Sequence, residues 1–213
     1  MADASHQLRS PLTALRLRIE NLQHDSASAT ADDLEGALAE VDRLTRLVNG
    51  LLALARAERR AHERTIQDVG ALVLERADAW RAAAAERDVA LDADAPRGLD
   101  AELAPDALEQ VLDNLVANAL AVAPSGSRVT LAAARDGDTI SLTVTDAGPG
   151  MAAEDRARAF DRFWRGREER PGSGLGLAIV KSLVEADEGS VRLEQGPEGG
   201  LRAVVVLPAV ARV

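Results

Sequence analysis

Apolar residues recur at steps of three and four over residues 4–23, and again from about residue 31 to residue 60. This spacing predicts two amphipathic helices, joined by a polar turn at residues 25–30 and kinked locally at Pro11. The second helix carries its apolar residues close to a heptad repeat. Because a single helical hairpin cannot bury both apolar seams, we expect a four-helix bundle formed by a homodimer.

The pattern changes after a polar linker at residues 61–66, where helical spacing begins to alternate with the two-residue period of strands. Helices are predicted around residues 69–80, 105–122 and 175–186, and strands near residues 88–92, 97–100, 128–134, 139–145, 190–194 and 201–207. We therefore predict an α+β chain, with a helical domain at residues 1–60 and a sheet covered by helices on one face at residues 67–213.

The composition of the chain excludes several classes of partner and of catalytic chemistry. The net charge is −10, which argues against nucleic acid as a partner because DNA and RNA need a basic face. The absence of cysteine excludes disulfides and thiolate catalysis. No apolar run approaches the ~20 residues of a membrane span, so we expect no direct membrane contact. Met1 lies five residues before a candidate catalytic histidine, inside a predicted helix, and we therefore expect a fragment of a longer protein.

That histidine, His6, lies in the sequence Ser-His-Gln-Leu-Arg-Ser-Pro-Leu at residues 5–12, on the solvent side of the first predicted helix. A neutral imidazole on an exposed helix face can attack a phosphorus atom. Taken alone, the position is more typical of a surface histidine without a role.

Two further motifs fit a nucleotide phosphate. Asn114 and Asn118 share one face of a predicted helix, and an amide oxygen there can ligate Mg²⁺; a pair of solvated asparagines is the alternative. The sequence Gly-Ser-Gly-Leu-Gly-Leu at residues 172–177 opens another helix, where backbone amides and the helix N-terminus can cradle an anion. No Gly-Lys-Ser/Thr follows it, so it is not a Walker A loop.

Two more motifs complete the candidate site. Asp146-Ala-Gly-Pro-Gly follows a strand, and an ionised Asp accepts hydrogen bonds only, so it can take the exocyclic amine of adenine and reject the carbonyl of guanine; a plain turn is the alternative. Residues 160–165 contain three of the four aromatic residues of the chain among arginines. They indicate a lid that offers Arg165, and less strongly Arg162, to phosphates.

The five motifs together, from residue 3 to about residue 207, closely resemble the catalytic core of bacterial two-component sensor histidine kinases. Residues 5–12 resemble the phosphoacceptor box. The other motifs resemble the N, G1, F and G2 boxes of the ATP-binding α/β sandwich that these kinases share with Hsp90 and type II topoisomerases.

The resemblance implies a role for each motif residue. His6 is the phosphoacceptor, Gln7 orients the imidazole where many members have an acidic residue, and Ser10 stands where the family positions water for dephosphorylation of the response regulator. Asn118 is the Mg²⁺ ligand. The residues implied in ATP binding are Asn114, Asn118, Asp146, Gly148, Gly150, Arg162, Arg165, Gly172, Gly174, Leu175, Gly176 and Leu177.

The resemblance also implies an activity, ATP-dependent autophosphorylation of His6 followed by phosphotransfer to an Asp of a receiver domain. It implies a cytoplasmic fragment of a sensor anchored in the inner membrane. Two alternatives remain: a nucleotide-binding module without catalysis, favoured by Gln7 and by Ala121 where the family often has Lys, and an Hsp90-like ATPase. The latter leaves residues 5–12 unexplained.

Overall fold

The computed structural model describes residues 64–164, 174–197 and 199–211, which all belong to one compact unit of the chain. The predicted helical hairpin lies outside these ranges, so the dimeric four-helix bundle stays a prediction. Five of the predicted site residues also lie outside the described residues: His6, Gln7, Ser10, Arg165 and Gly172.

The described residues form an α+β sandwich. In chain order the elements are β1 (Thr65–Asp68), α1 (Val69–Ala85), β2 (Ala90–Asp94), β3 (Asp100–Leu103), α2 (Ala107–Val122), β4 (Arg128–Asp136), β5 (Thr139–Thr145), α3 (Ala153–Arg158), α4 (Gly176–Ala186), β6 (Ser190–Gln195) and β7 (Leu201–Pro208). A five-stranded mixed sheet has the order β2-β4-β5-β7-β6, with β2 and β4 parallel and the other neighbours antiparallel. β1 and β3 form a separate antiparallel pair.

The core lies between one face of this sheet and the helices. Leu131, Val144 and Ala203 are paired across β4, β5 and β7, and all three are buried. The alternate residues of β5 are only partly buried, as expected for a strand with one face on a core. Helices α1, α2 and α4 all contact strands of the sheet. The α+β prediction, with helices on one face, is therefore confirmed.

Two local predictions were wrong, and the short helix α3 was not predicted. The strand predicted near residues 97–100 lies at Asp100–Leu103. Thr65 and Ile66, predicted to be linker, belong to β1. Among the residues that the structure describes, β1 pairs with β3 alone, and Ile66 is 66% exposed. This strand therefore has no apolar stripe that hydrophobic periodicity could detect.

The start of α1 is fixed by Asp68. Its Oδ1 accepts a hydrogen bond from the Ala71 amide (3.1 Å), which caps the helix, and its Oδ2 accepts one from the Gly98 amide (2.9 Å). Burial works against ionisation of this carboxyl, but the hydrogen bonds from the backbone outweigh it and lower the pKa of Asp68. Asp68 thus ties α1 to the loop that precedes β3.

Replacing Asp68 by Ala should lower the free energy of unfolding by about 1–2 kcal/mol at neutral pH, because two backbone amides lose their acceptor. The pKa of Asp68 is lower in the folded than in the unfolded chain. Its ionisation therefore contributes stability above the unfolded pKa of about 3.9, and this contribution is lost as the pH falls through the folded pKa. Urea unfolding followed by fluorescence of Trp80 and Trp164 measures the effect. Parent and variant of equal stability at neutral pH would contradict it.

The first described residue, Arg64, contacts the C-terminal end of α4. Its guanidinium donates to the Ala186 carbonyl (2.5 Å) and to Glu188 Oε1 (2.7 Å), and its Nε lies 3.6 Å from the buried carboxylate of Asp187. Asp187 also accepts a hydrogen bond from the Ala104 amide, just before α2 (3.0 Å). Burial raises the pKa of Asp187, and the Ala104 amide and Arg64 partly offset this. This cluster fixes α2 and α4, the two helices of the candidate site, relative to the start of β1.

Candidate functional site

One face of α2 runs along the candidate site. Asn114, Asn118 and Val122 follow one another at intervals of four residues, which places them in a row on the helix. Asn118 is exposed and Asn114 half-buried, with the Asn114 Nδ2 donating to the Gln110 carbonyl (2.8 Å). The opposite face of α2 is buried in the core, so its orientation is set by packing.

The N-terminus of α4 abuts this row. A Cβ built on Gly176 would lie 3.2 Å from Asn114 Oδ1 and 3.4 Å from Asn118 Nδ2, so both asparagines reach the first turn of α4. Within the described residues, no side chain caps that turn. Leu175 is fully buried and holds the start of the helix in the core, while Leu177 is half-buried. Amide side chains and the positive end of a helix dipole therefore meet at one point, where an anion is favoured.

The aromatic residues of the predicted lid contact Gly174, which lies just before the N-terminus of α4. The Phe163 amide donates to the Gly174 carbonyl (2.8 Å), and both residues have positive φ, 67° and 68°. A Cβ on Gly174 would come 2.7 Å from the Phe163 carbonyl carbon and 2.9 Å from the Trp164 oxygen, which explains the glycine. The neighbouring Arg162 is exposed. Its contact with a phosphate, like that of Arg165, stays a prediction.

Asp146 occupies the other end of the row. It is 8% exposed, and its backbone amide donates to the Leu201 carbonyl (2.9 Å). The side-chain Oδ1 accepts hydrogen bonds from the amides of Gly148 (2.8 Å) and Leu201 (3.2 Å). A Cβ on Gly148 would lie 2.9 Å from both this oxygen and the Val122 Cγ2. The carboxylate is thus oriented by the backbone and lies near the end of α2.

The glycines of the β6–β7 turn complete this end, and the sequence analysis missed them. A Cβ on Gly200 would lie 1.9 Å from the Asp146 carbonyl oxygen, and one on Gly150 (φ 71°) would lie 2.4 Å from the Gly199 carbonyl oxygen. In the sequence these residues resembled an ordinary hairpin turn. The sequence did contain one signal of this close backbone approach. It was the run Gly196-x-x-Gly199-Gly200, which has more glycine than a turn requires.

Asp113, next to Asn114, was also missed. Its Oδ1 accepts hydrogen bonds from Arg76 Nη2 (2.8 Å), Arg76 Nε (3.0 Å) and Trp80 Nε1 (2.7 Å), all on α1. Three donors on one oxygen hold α2 against α1 on the side away from the core, and so limit rotation of the Asn114–Asn118 face. Trp80, which lies in the helix predicted around residues 69–80, therefore makes a polar contact through its indole nitrogen.

The arrangement suits an elongated ligand with an amine at one end and an anionic group at the other. The backbone-oriented carboxylate of Asp146 can accept a hydrogen bond, and the amides and helix N-terminus near Gly176 favour negative charge. Across residues 64–164, 174–197 and 199–211, no group of three His, Asp or Glu side chains is arranged to hold a metal. The side-chain oxygen of an amide such as that of Asn118, together with oxygens of a bound ligand, is a coordination that Mg²⁺ accepts.

Comparison with known families accounts for most of the chain. Residues 104–211 match the family of histidine kinase-, DNA gyrase B- and HSP90-like ATPases, and residues 1–60 match the His Kinase A (phospho-acceptor) domain. Among the described residues, no helix is both long and apolar enough to cross a bilayer.

Individual proteins agree with these matches. The sensor-like histidine kinase SenX3 of Mycobacterium tuberculosis is 36% identical over 218 residues, covering 99% of this chain and 53% of SenX3. The sensor histidine kinase CpxA of Escherichia coli is 36% identical over 219 residues, covering 100% of this chain and 47% of CpxA. The chain thus spans about half the length of these curated relatives.

Solved structures share the fold. The Acinetobacter baumannii histidine kinase AdeS superposes with a TM-score of 0.76 at 22% identity, over 97% of this chain and 98% of AdeS. Full-length ShkA, solved in complex with AMPPNP, gives a TM-score of 0.67 at 28% identity, over 100% of this chain and 46% of ShkA.

Proposed function

The chain belongs to the sensor histidine kinases of two-component signalling, and from this we propose that it uses ATP to phosphorylate its own His6 and then passes the phosphoryl group to an aspartate of a response regulator. The main support for this proposal is the row of Asn114, Asn118 and Val122 on α2. One end of the row lies beside the N-terminus of α4, and the other end lies beside Gly148 and Asp146. A nucleotide lying along this row meets a carboxylate at its base and helix-terminal amides at its phosphates.

At the base, Asp146 accepts a hydrogen bond from the exocyclic amine of adenine. Guanine has a carbonyl at that position, and a carboxylate repels it because neither group can donate. The support is the burial of Asp146 and the two backbone amides that fix its Oδ1.

At the phosphates, the backbone amides of residues 172–177 provide hydrogen-bond donors beside Asn114, and Arg162 and Arg165 add charge. Mg²⁺ held by Asn118 would neutralise the charge that develops during phosphoryl transfer. The support is the closeness of both asparagines to Gly176. In a chain with a net charge of −10, this positive end must be built locally, and the helix dipole of α4 contributes to it.

The chemical step uses His6. A nitrogen of the neutral imidazole attacks the γ-phosphorus, the bond to the β-phosphate oxygen breaks, ADP leaves, and the imidazole proton passes to water. Gln7 orients the ring by accepting a hydrogen bond. Ser10 positions the water that hydrolyses the phosphoaspartate of the response regulator to free aspartate and inorganic phosphate. These residues lie outside the described ranges, and the match of residues 1–60 to a phospho-acceptor domain supports their roles.

The same match supports a homodimer, formed by the helical domain at residues 1–60, as the functional state. A linker that begins at about residue 61 and ends before β1 then leads to the ATP-binding domain. The curated relatives are sensor kinases about twice as long as this chain. We propose that the chain is the cytoplasmic part of a longer, membrane-anchored sensor.

Incubation of the chain with Mg²⁺ and γ-labelled ATP should yield a phosphoprotein whose label is lost in acid and kept in base, as expected for a phosphoramidate. Stoichiometric release of ADP and a phosphopeptide containing His6 complete the test. A chain that binds ATP without acquiring the label would instead be the non-catalytic module that Gln7 and Ala121 favour, and would overturn the kinase proposal.

A further inference from the structure

We propose that Arg156 and Gln195 form a latch that positions Asp146, and that this latch sets the preference of the site for adenine over guanine. The inference rests on the proposed function, because it requires that Asp146 faces the purine. Neither residue belongs to the motifs that carry the family resemblance.

The latch is a continuous path of hydrogen bonds between two backbone segments. Arg156 Nη1, on α3, donates to the Met151 carbonyl (2.6 Å) and to Gln195 Oε1 (3.3 Å). Gln195 Nε2, at the end of β6, donates to the Gly199 carbonyl (2.6 Å). The path therefore connects the loop after Asp146 to the turn between β6 and β7.

Both connected segments lie directly on Asp146. The loop contributes the Gly148 amide to Asp146 Oδ1, and the turn leads into Leu201, whose amide donates to the same oxygen. Loop and turn also touch each other, since a Cβ on Gly150 would lie 2.4 Å from the Gly199 carbonyl oxygen. The direction of the carboxylate thus depends on two segments whose separation the latch holds constant.

The latch acts on the base end of the site alone. Arg156 and Gln195 lie at the surface or partly buried, outside the buried core, whereas the phosphate end is built on α2 and α4, which are fixed by core packing and by Asp113. Removing the latch should loosen the carboxylate without unfolding the domain. Adenine depends on a hydrogen bond to that carboxylate and guanine does not, so ADP should lose more affinity than GDP.

Arg156→Ala and Gln195→Ala in the full chain should each weaken ADP binding by about three- to tenfold, the range expected for loss of one or two hydrogen bonds. GDP affinity should stay the same or rise, because a loosened carboxylate also repels the carbonyl of guanine less. The ratio of the two affinities should therefore fall. Because both residues act through one path, the double variant should lose little more than the weaker-binding single variant. Calorimetric titration of the parent, the two single variants and the double variant with Mg²⁺-ADP and Mg²⁺-GDP measures all eight affinities.

Arg158→Ala is the matched control. Arg158 is also on α3 and has the same charge, but its side chain is exposed and pairs only loosely with Asp161 (3.9 Å). The Arg158→Ala variant should have the same ratio of ADP to GDP affinity as the parent. Urea unfolding followed by tryptophan fluorescence checks that each variant is folded.

The outcomes separate the two proposals. If the parent binds neither nucleotide, the proposed function is wrong and the latch with it. If the parent binds ADP and the two latch variants keep its ratio of ADP to GDP affinity, or if both affinities fall equally, the latch is wrong and the proposed function stands. If Arg158→Ala lowers the ratio as much as Arg156→Ala, the effect belongs to the charge of α3 and the latch is again wrong.

Discussion

A chain in which His6 is replaced by Gln should incorporate no phosphate from ATP, while it keeps the ADP affinity of the parent. Gln is close to His in size and polarity but has no nucleophilic ring nitrogen, so only the chemical step is removed. The label is measured on the intact protein after gel separation without acid treatment, and ADP binding is measured by calorimetry on the same preparation. The loss should be complete, because no other histidine has the sequence context of residues 5–12.

The chain provides its own matched controls for this experiment. Its two other histidines are His24, in the predicted turn, and His62, in the predicted linker. His24→Gln and His62→Gln should both be labelled at the parent rate. If label persists in His6→Gln, or disappears in one of the controls, the phosphoacceptor has been assigned to the wrong residue.

Replacing Asp146 by Asn should weaken ADP binding on the order of 10- to 100-fold, the effect expected for a hydrogen bond to a charged group. The asparagine oxygen can still accept from the Gly148 and Leu201 amides, which keeps the backbone in place. The other carboxylate oxygen becomes an NH2 group, which can only donate. It therefore cannot accept a hydrogen bond from the amine of adenine. The same donor can serve the carbonyl of guanine, so GDP should bind this variant better than it binds the parent.

Titrations with Mg²⁺-ADP and Mg²⁺-GDP test both halves of this prediction. Asp92→Asn is the control, because Asp92 is an exposed carboxylate whose ion pair with Arg128 (2.7 Å) is on the surface of β2 and β4. It removes the same charge and should change neither affinity. Parent-like ADP affinity in Asp146→Asn would mean that the purine does not meet this carboxylate.

The fold class was predictable because it depends on one-dimensional patterns. Helices α2 and α4 have long apolar stripes, and β4 and β5 alternate strictly on either side of a tight turn, so burial of one face fixes their type and nearly their bounds. β1 was missed for the opposite reason. It is a short strand with one neighbour and little burial, and its sequence lacks a periodic apolar signal.

The family was predictable because five short motifs, each weak by itself, occur along the chain in the order and at the spacing of that family. Asn114, Asn118 and Asp146 were singled out by residue type and spacing, and the family matches now cover the motifs that contain them. Their roles as ligand contacts stay predictions until nucleotide binding is measured on the variants described above.

By itself, then, the sequence determined which segments are helices and strands, which side chains are candidates for chemistry, and to which family the chain belongs, because each of these is encoded in residues close together along the chain. Only the tertiary structure decided the strand order β2-β4-β5-β7-β6 and the contact of Gly200 with Asp146. It also decided the hydrogen bonds that join Arg156 to Gln195 and Asp113 to α1. These contacts join residues more than 30 positions apart, so they depend on how the helices pack on the sheet, which no local pattern of polar and apolar residues records.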